Sequence, residues 1–169
     1  SVAGVADEVV VVDTGSKDHT RQIALEKGAR VYDFPWCDDF SAARNFAVSQ
    51  AVGDYWMWLD ADDVIEGENH EKLRRILEHP DADVVFLPYW LSFDESGAPQ
   101  MVSQRERIFR RSGGYQFTGA VHEAVVPHGR LRYGDAAVSD RKLRPGDPDR
   151  NLHIYQQKLR RGESFSPRE

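Results

Sequence analysis

Tyr55-Trp56-Met57-Trp58-Leu59-Asp60-Ala61-Asp62-Asp63 is the stretch whose reading decides the fold. Five bulky apolar residues run without interruption and end on three carboxylates within four positions. An unbroken apolar run of this length suits a strand covered on both faces, as in a parallel sheet. The acids then fall past its carboxyl end, on the rim where open α/β sheets bind ligands. Crowding Asp60, Asp62 and Asp63 together costs repulsion that a divalent cation relieves. A solvated acidic turn is the plain alternative, since Asp is a common turn residue.

Upstream, Asp7–Asp13 carries four consecutive valines between acids and reads as a second buried strand. Thr14-Gly15-Ser16 makes a turn, and Ser16 or Asp18 caps a helix running to about Lys27, with Gly28 as its stop. Ala29–Phe34 is a short strand ended by Pro35. Ser41 is the expected cap of a helix that carries Ala42, Ala43, Phe46, Ala47 and Ala51 and stops at Gly53. Downstream, Glu68–Glu78 has Leu73, Ile76 and Leu77 on one helical face, and Val84–Tyr89 is another apolar strand. This alternation predicts an α/β fold with a mostly parallel sheet flanked by helices. After Trp90, Gly, Pro and Ser become frequent. Short strands are expected at Glu106–Arg110, Ala120–Val126 and Arg130–Tyr133, then a helix over Pro148–Gly162 that is basic in its last turn.

The chain has 169 residues, which suits one domain with a sizeable core. Its residues are 40% apolar and 30% charged, so it is globular rather than disordered. A net charge of −6 argues against nucleic acid as the main partner. Cys37 is the lone cysteine, which rules out an internal disulfide and a cysteine-based zinc site and fits a reducing, cytoplasmic compartment. No apolar stretch approaches the roughly 20 residues that span a bilayer. The chain starts without Met and is expected to be a piece of a longer one.

Two expected strands end in acids at comparable places, Asp13 and the Asp60 cluster. In a parallel sheet both ends share one rim. Asp13 is suited to accept a hydrogen bond from a base or sugar, with a strand-end turn acid as the alternative. The Asp60 cluster is suited to a cation on a pyrophosphate. There is no Walker A sequence and no Gly-x-Gly-x-x-Gly turn, so a cation is the remaining way to neutralise phosphate. Oxygen-only ligands favour Mg2+ or Mn2+ over zinc.

Val12–Asp18 (Val-Asp-Thr-Gly-Ser-Lys-Asp), Phe40–Asn45 (Phe-Ser-Ala-Ala-Arg-Asn) and Trp58–Asp63 (Trp-Leu-Asp-Ala-Asp-Asp) resemble, in order and spacing, the family 2 glycosyltransferases. Arg107–Arg110 and Phe117–Glu123 are similar to a bacterial branch that includes lipopolysaccharide-core glucosyltransferases, peptide glycosyltransferases and enzymes followed by tetratricopeptide repeats. The resemblance implies the GT-A nucleotide-sugar-binding fold, with residues 1–90 as the nucleotide-binding half. Residues 91–169 would then form the acceptor half and the C-terminal helix of a single domain truncated at both ends. By position, Asp13 would contact the uracil or ribose of a UDP-sugar, and Arg44 the base or diphosphate. Asp60 would face ribose and metal, Asp62 would be the main ligand of Mn2+ or Mg2+, and Asp63 would bind sugar hydroxyls or cap the following turn. Glu123, in the pair His122-Glu123, would be the catalytic base of an inverting transfer to a glycan, lipid-linked saccharide or peptide. The resemblance also implies a cell-envelope role in the cytoplasm or peripherally at the inner membrane.

Two departures from the pattern set further expectations. The family's opening strand, which lies mid-sheet beside Asp7–Asp13 and Tyr55–Leu59, is missing; a preceding segment or a neighbouring chain in a strand-exchanged homo-oligomer would fill its place. Where many relatives carry a metal-binding His, this chain has Val138-Ser139-Asp140-Arg141, which makes Asp140 a candidate oxygen ligand. Trp36, Phe40, Tyr89 and Trp90 are candidates for a sugar pocket or for core, and Arg141-Lys142-Arg144 for an anion site or a solvated face. Sugar-phosphate nucleotidyl transfer and a non-catalytic scaffold are the alternative functions.

Overall fold

The computed structural model describes residues 1–142 and 147–165. The elements, in chain order, are β1 (Val10–Asp13), α1 (Thr20–Glu26), β2 (Arg30–Asp33), α2 (Phe40–Gln50), β3 (Tyr55–Met57), β4 (Asp63–Val64), α3 (Asn69–Glu78), β5 (Val84–Phe93), β6 (Pro99–Arg110), β7 (Phe117–Thr118), β8 (Ala124–Val125), β9 (Leu131–Tyr133), β10 (Val138–Asp140) and α4 (Arg150–Arg160). They fall into two compact, interleaved units. One comprises Ser1–Asp7, Gly53–Tyr115 and Pro127–Arg144; the other comprises Glu8–Val52, Gln116–Val126 and Pro145–Glu169. The expected division near residue 90 coincides with neither.

The first unit is built on a six-stranded sheet in the order β3-β6-β5-β10-β4, with β9 also pairing β5. Its spine is the long β5–β6 hairpin. The Asp94 carboxylate closes the hairpin turn by accepting from the Ser96 and Ala98 amides, each at 2.9 Å, and Gly97 takes a φ of 84° there. The sheet is mixed. β5 is parallel to β9 and β10, whereas β3–β6, β5–β6 and β4–β10 are antiparallel. The stretch that opened the reading is therefore not a parallel strand. It pairs antiparallel with β6, and the Trp56 and Phe109 rings of one cross-strand pair stack with centroids 4.3 Å apart. An apolar run reports that a strand is covered, not which way its neighbour runs.

A hydrophobic core lies in this unit. Leu73 and Ile76 of α3 pack with Ile65, Val85, Leu87, Ile108, Ala136 and Val138, all buried. The helix forms as its apolar spacing predicts, and Leu77 lies at the cluster's edge.

In the second unit β1 and β2 pair in parallel, with Val11 opposite Val31. The cap of α2 is Asp39 rather than Ser41. Its Oδ1 accepts from the Ala42 amide at 3.0 Å and from the Ser41 hydroxyl at 2.7 Å. Asp39 has the extended backbone that a cap needs, and Ser41 already lies inside the helix. Asp18 accepts from the Thr20 amide at 2.9 Å at the start of α1. The expected strand over Ala120–Val126 is instead the short hairpin β7–β8, with a wound connection between its strands. α4 packs Ile154 against Ala120 and Val121 and ends with Lys158 and Arg160 in its last turn, as expected. β1 and β3 are each paired along a single edge among the described residues. No helix of these residues is long and apolar enough to cross a membrane.

Candidate functional site: an acid turn and a paired glutamate

The three acids that follow β3 have different surroundings. Asp63 is the first residue of β4, and its side chain is fully buried in an ion pair with Arg107, Nη1 to Oδ2 at 2.7 Å. The same Oδ2 accepts from the Asp60 amide at 2.9 Å, and the Asp63 amide donates to the Asp60 carbonyl at 3.0 Å. The expectation that Asp63 touches the donor sugar is thereby corrected: its carboxylate is closed off inside and braces the turn. The Asp62 carbonyl accepts from the Arg141 amide at 2.9 Å, which ties the turn to the end of β10. The Asp62 side chain is half-buried and, among the described residues, makes no hydrogen bond or ion pair. Asp60 is half-buried beside it in the chain.

Asp140 stands directly opposite Asp63 in the β10–β4 register, with Oδ1 accepting from the Lys142 amide at 3.0 Å. Arg141 pairs with Glu66 at 2.7 Å, so it belongs to a solvated face; Arg144 lies outside the described residues. Tyr89 is buried core. Burial, and next the Asp63 charge, push its hydroxyl pKa far above the ordinary tyrosine value. No group of three or more His, Cys, Asp or Glu side chains among the described residues converges to hold a metal. By itself the turn offers a cation at most the carboxylates of Asp60 and Asp62, so most of the ligands of any ion there would come from elsewhere. Mg2+ is held in this way, by one or two carboxylates together with substrate phosphates and water.

In the second unit Asp13 ends β1, and its Oδ1 accepts from the Gly15 amide at 3.2 Å and the Ser16 amide at 2.9 Å. The hydrogen bonds from Ser16 hold the Asp13 carboxyl below the usual aspartate range. Helix α2 carries Arg44 and Asn45 toward the β7–β8 hairpin. Arg44 Nε donates to Glu123 Oε1 at 2.6 Å, with the two side chains 20% and 13% exposed, so both are largely shielded. Asn45 makes two bonds to one strand residue: its Nδ2 donates to the Phe117 carbonyl at 2.9 Å, and its Oδ1 accepts from the Phe117 amide at 2.8 Å.

The connection between the strands is tightly wound. Gly119 has a φ of 100°, and a Cβ there would sit 3.2 Å from the Val121 carbonyl oxygen. His122 holds a φ of 54°, unusual for a residue with a side chain. The Ala-Arg-Asn and His-Glu motifs, 79 positions apart, are thus one assembly. Arg44 and Glu123 were expected at a site separately, and the structure brings them together. The docking by Asn45 and the bracing by Arg107 were not foreseen, although both residues lie inside motifs quoted from the sequence. Of the candidate sugar-pocket aromatics, Phe40 is half-buried against the cluster of Ala120, Val121 and Ile154, Trp36 is exposed, and Trp90 is half-buried.

Comparison with known proteins supplies the family. A model described as "Glycosyl transferase family 2" matches residues 3–135. A tetratricopeptide-repeat-containing protein of Synechococcus elongatus is 40% identical over 126 residues, 74% of this chain and 30% of that protein. The prophage-derived glycosyltransferase SunS of Bacillus subtilis is 33% identical over 134 residues, 73% of this chain and 29% of its own length. The chain thus spans under a third of the length of these relatives. Among solved structures, Staphylococcus aureus TarS in complex with UDP-GlcNAc aligns with a TM-score of 0.55 at 17% identity, covering 89% of this chain and 56% of that one. Mannosyl-3-phosphoglycerate synthase from Rubrobacter xylanophilus aligns with a TM-score of 0.55 at 18% identity, covering 96% and 67%. These likenesses show the GT-A fold, and the sequence match assigns the chain to glycosyl transferase family 2.

Proposed function

We propose that the chain is the donor-binding and catalytic part of a metal-dependent, inverting glycosyltransferase that takes its sugar from UDP. The observation that carries the reading is the acid turn. Its backbone is fixed by Asp63 and Arg141, while the Asp62 carboxylate is left without a protein partner among the described residues. A half-buried, unengaged carboxylate on a braced turn is a preorganised half-ligand set for a cation that arrives with a diphosphate. The proximity of Asp60 favours the same occupant. Mn2+ or Mg2+ bound there supplies Lewis-acid stabilisation of the charge on the departing diphosphate.

The chain's own residues supply the rest. Asp13, held ionised by its turn amides, accepts from the uracil or ribose. Arg44, which the family resemblance assigns to the base or diphosphate, holds one oxygen of Glu123. In the transfer, the bond from the anomeric carbon to the UDP oxygen breaks and a bond to the acceptor oxygen forms on the opposite face. The acceptor proton passes to the Glu123 carboxylate. The acceptor is a glycan, lipid-linked saccharide or peptide, and the lone cysteine agrees with action in the cytoplasm.

Calorimetry of UDP binding to the full-length protein, with and without Mn2+, tests this. Binding that needs the metal and is lost in Asp62→Ala is the expected result. Absence of UDP binding overturns the reading in favour of a non-catalytic scaffold. Turnover of a sugar phosphate with a nucleoside triphosphate overturns it in favour of nucleotidyl transfer.

A further inference from the structure

Arg107 is fully buried, which is rare for a charged residue. It enters the core through an irregularity in the β5–β6 ladder. Val85 faces Ile108 and Phe86 faces Glu106, so Arg107 is an extra residue with no opposite partner. Such bulges re-aim one side chain. Here the guanidinium lies 3.9 Å from the Trp58 ring centroid and 4.5 Å from that of Tyr89, and the two rings fix its position. Nη1 donates to Asp63 Oδ2 at 2.7 Å and to the Trp58 carbonyl at 3.2 Å. One nitrogen thus ties together the two ends of the segment that carries Asp60 and Asp62.

The arrangement is poor as a device for stability. Among the described residues, Arg107 Nε and Nη2 and Asp63 Oδ1 are buried without a hydrogen-bond partner. Unmade bonds of this kind are costly, and replacing a buried ion pair by neutral groups of similar shape is often neutral or stabilising. A charge kept in the core under those terms has a use other than holding the core together.

We propose that Arg107 is the positioning residue of the acid turn: through Asp63 and the Trp58 carbonyl it sets the backbone that presents Asp60 and Asp62 to their ligand. The link to ligand affinity rests on the function proposed above; the geometric claim stands apart from it. Arg107, fully buried, would act through the turn rather than on the ligand. A lysine keeps its charge but lacks the planar guanidinium that the Trp58 and Tyr89 rings hold in place, so its ammonium, on a flexible stem, is not fixed where one nitrogen reaches both ends of the turn.

The test compares the full-length protein with the paired variant Asp63→Asn/Arg107→Met, which leaves no lone buried charge, and with Arg107→Lys. Three readouts are taken: thermal midpoint, amide hydrogen exchange of residues 58–64 against that of 84–87, and UDP affinity in Mn2+. The expected result for the pair is a midpoint at or above wild type. Exchange in 58–64 should be at least about tenfold faster, with 84–87 unchanged, and UDP affinity about tenfold weaker or worse. Arg107→Lys should fold and show the same local loosening to a lesser degree. Wild-type exchange and affinity in either variant overturns the proposal. So does a uniform rise in exchange with a fallen midpoint, which would mark the ion pair as a core element only. If the wild type fails to bind UDP, the function is refuted, while the exchange data still decide the role of Arg107.

Discussion

Asn45 is the residue on which the Glu123 hairpin is hung, and Asn45→Ala measures how much that attachment is worth. The substitution removes two hydrogen bonds, at 2.9 and 2.8 Å, between the α2 side chain and the Phe117 backbone. At about 0.5–1.5 kcal/mol net each, the loss is about 1–3 kcal/mol. For a chain of this size that lowers the thermal midpoint by about 2–12 °C. Urea unfolding followed by circular dichroism gives the free energy directly. Because Arg44 and Asn45 are adjacent and grip the same hairpin, the loss should not add to that of Glu123→Gln. A double-mutant cycle should return a coupling of at least about 0.5 kcal/mol. If Asn45→Ala lies within 0.5 kcal/mol of wild type on the urea scale, or if the two changes add, then the hairpin is held by its apolar contacts alone. Asn45 would then not anchor the hairpin.

Glu123→Gln keeps the shape and a weaker bond to Arg44 but cannot take a proton. Transfer should fall by about two orders of magnitude or more with little change in UDP affinity, and a fall in affinity alone would remove Glu123 from the base role. Gly134→Ala puts a methyl 2.7 Å from Ile76 Cδ1 and 2.9 Å from Leu87 Cδ2; overpacking of that kind costs about 1–3 kcal/mol, read as a lower urea midpoint. Tyr89 keeps its proton in the fold well beyond the pH of about 10 at which an unfolded tyrosine loses it. Its contribution is whole below that pH and declines above it by about 1.4 kcal/mol per unit until the folded group titrates. Alkaline unfolding of Tyr89→Phe should therefore fall off less steeply than that of wild type, and identical slopes would count against a buried, proton-retaining Tyr89.

Local chemistry carried most of what could be read in advance. Helix α3 follows from the spacing of Leu73, Ile76 and Leu77, and the acid turn follows from an apolar run that stops on carboxylates. Where two local solutions competed, the residues alone did not decide. Asp39 and Ser41 are both good caps two positions apart, and backbone geometry set by the preceding loop selects Asp39. Asp62 and Asp63 are chemically identical neighbours, yet among the described residues one is half-buried without a protein partner and the other is sealed inside, because β4 begins at Asp63 and turns that side chain toward Arg107. Arg107 itself was hidden for a physical reason. Arg-Glu-Arg-Ile-Phe-Arg (105–110) reads as a charged strand with alternating faces, and a single inserted residue reverses the alternation at that point. Its partners Trp58, Asp63 and Tyr89 come from other strands and turns, with Asp63 44 positions away. A sequence window reports what a segment can bury; it does not report which distant charge will be buried with it. The motif Arg107–Arg110 marks Arg107 off from the exposed arginine at 105, but its burial and its grip on the acid turn depend on partners that lie elsewhere in the chain.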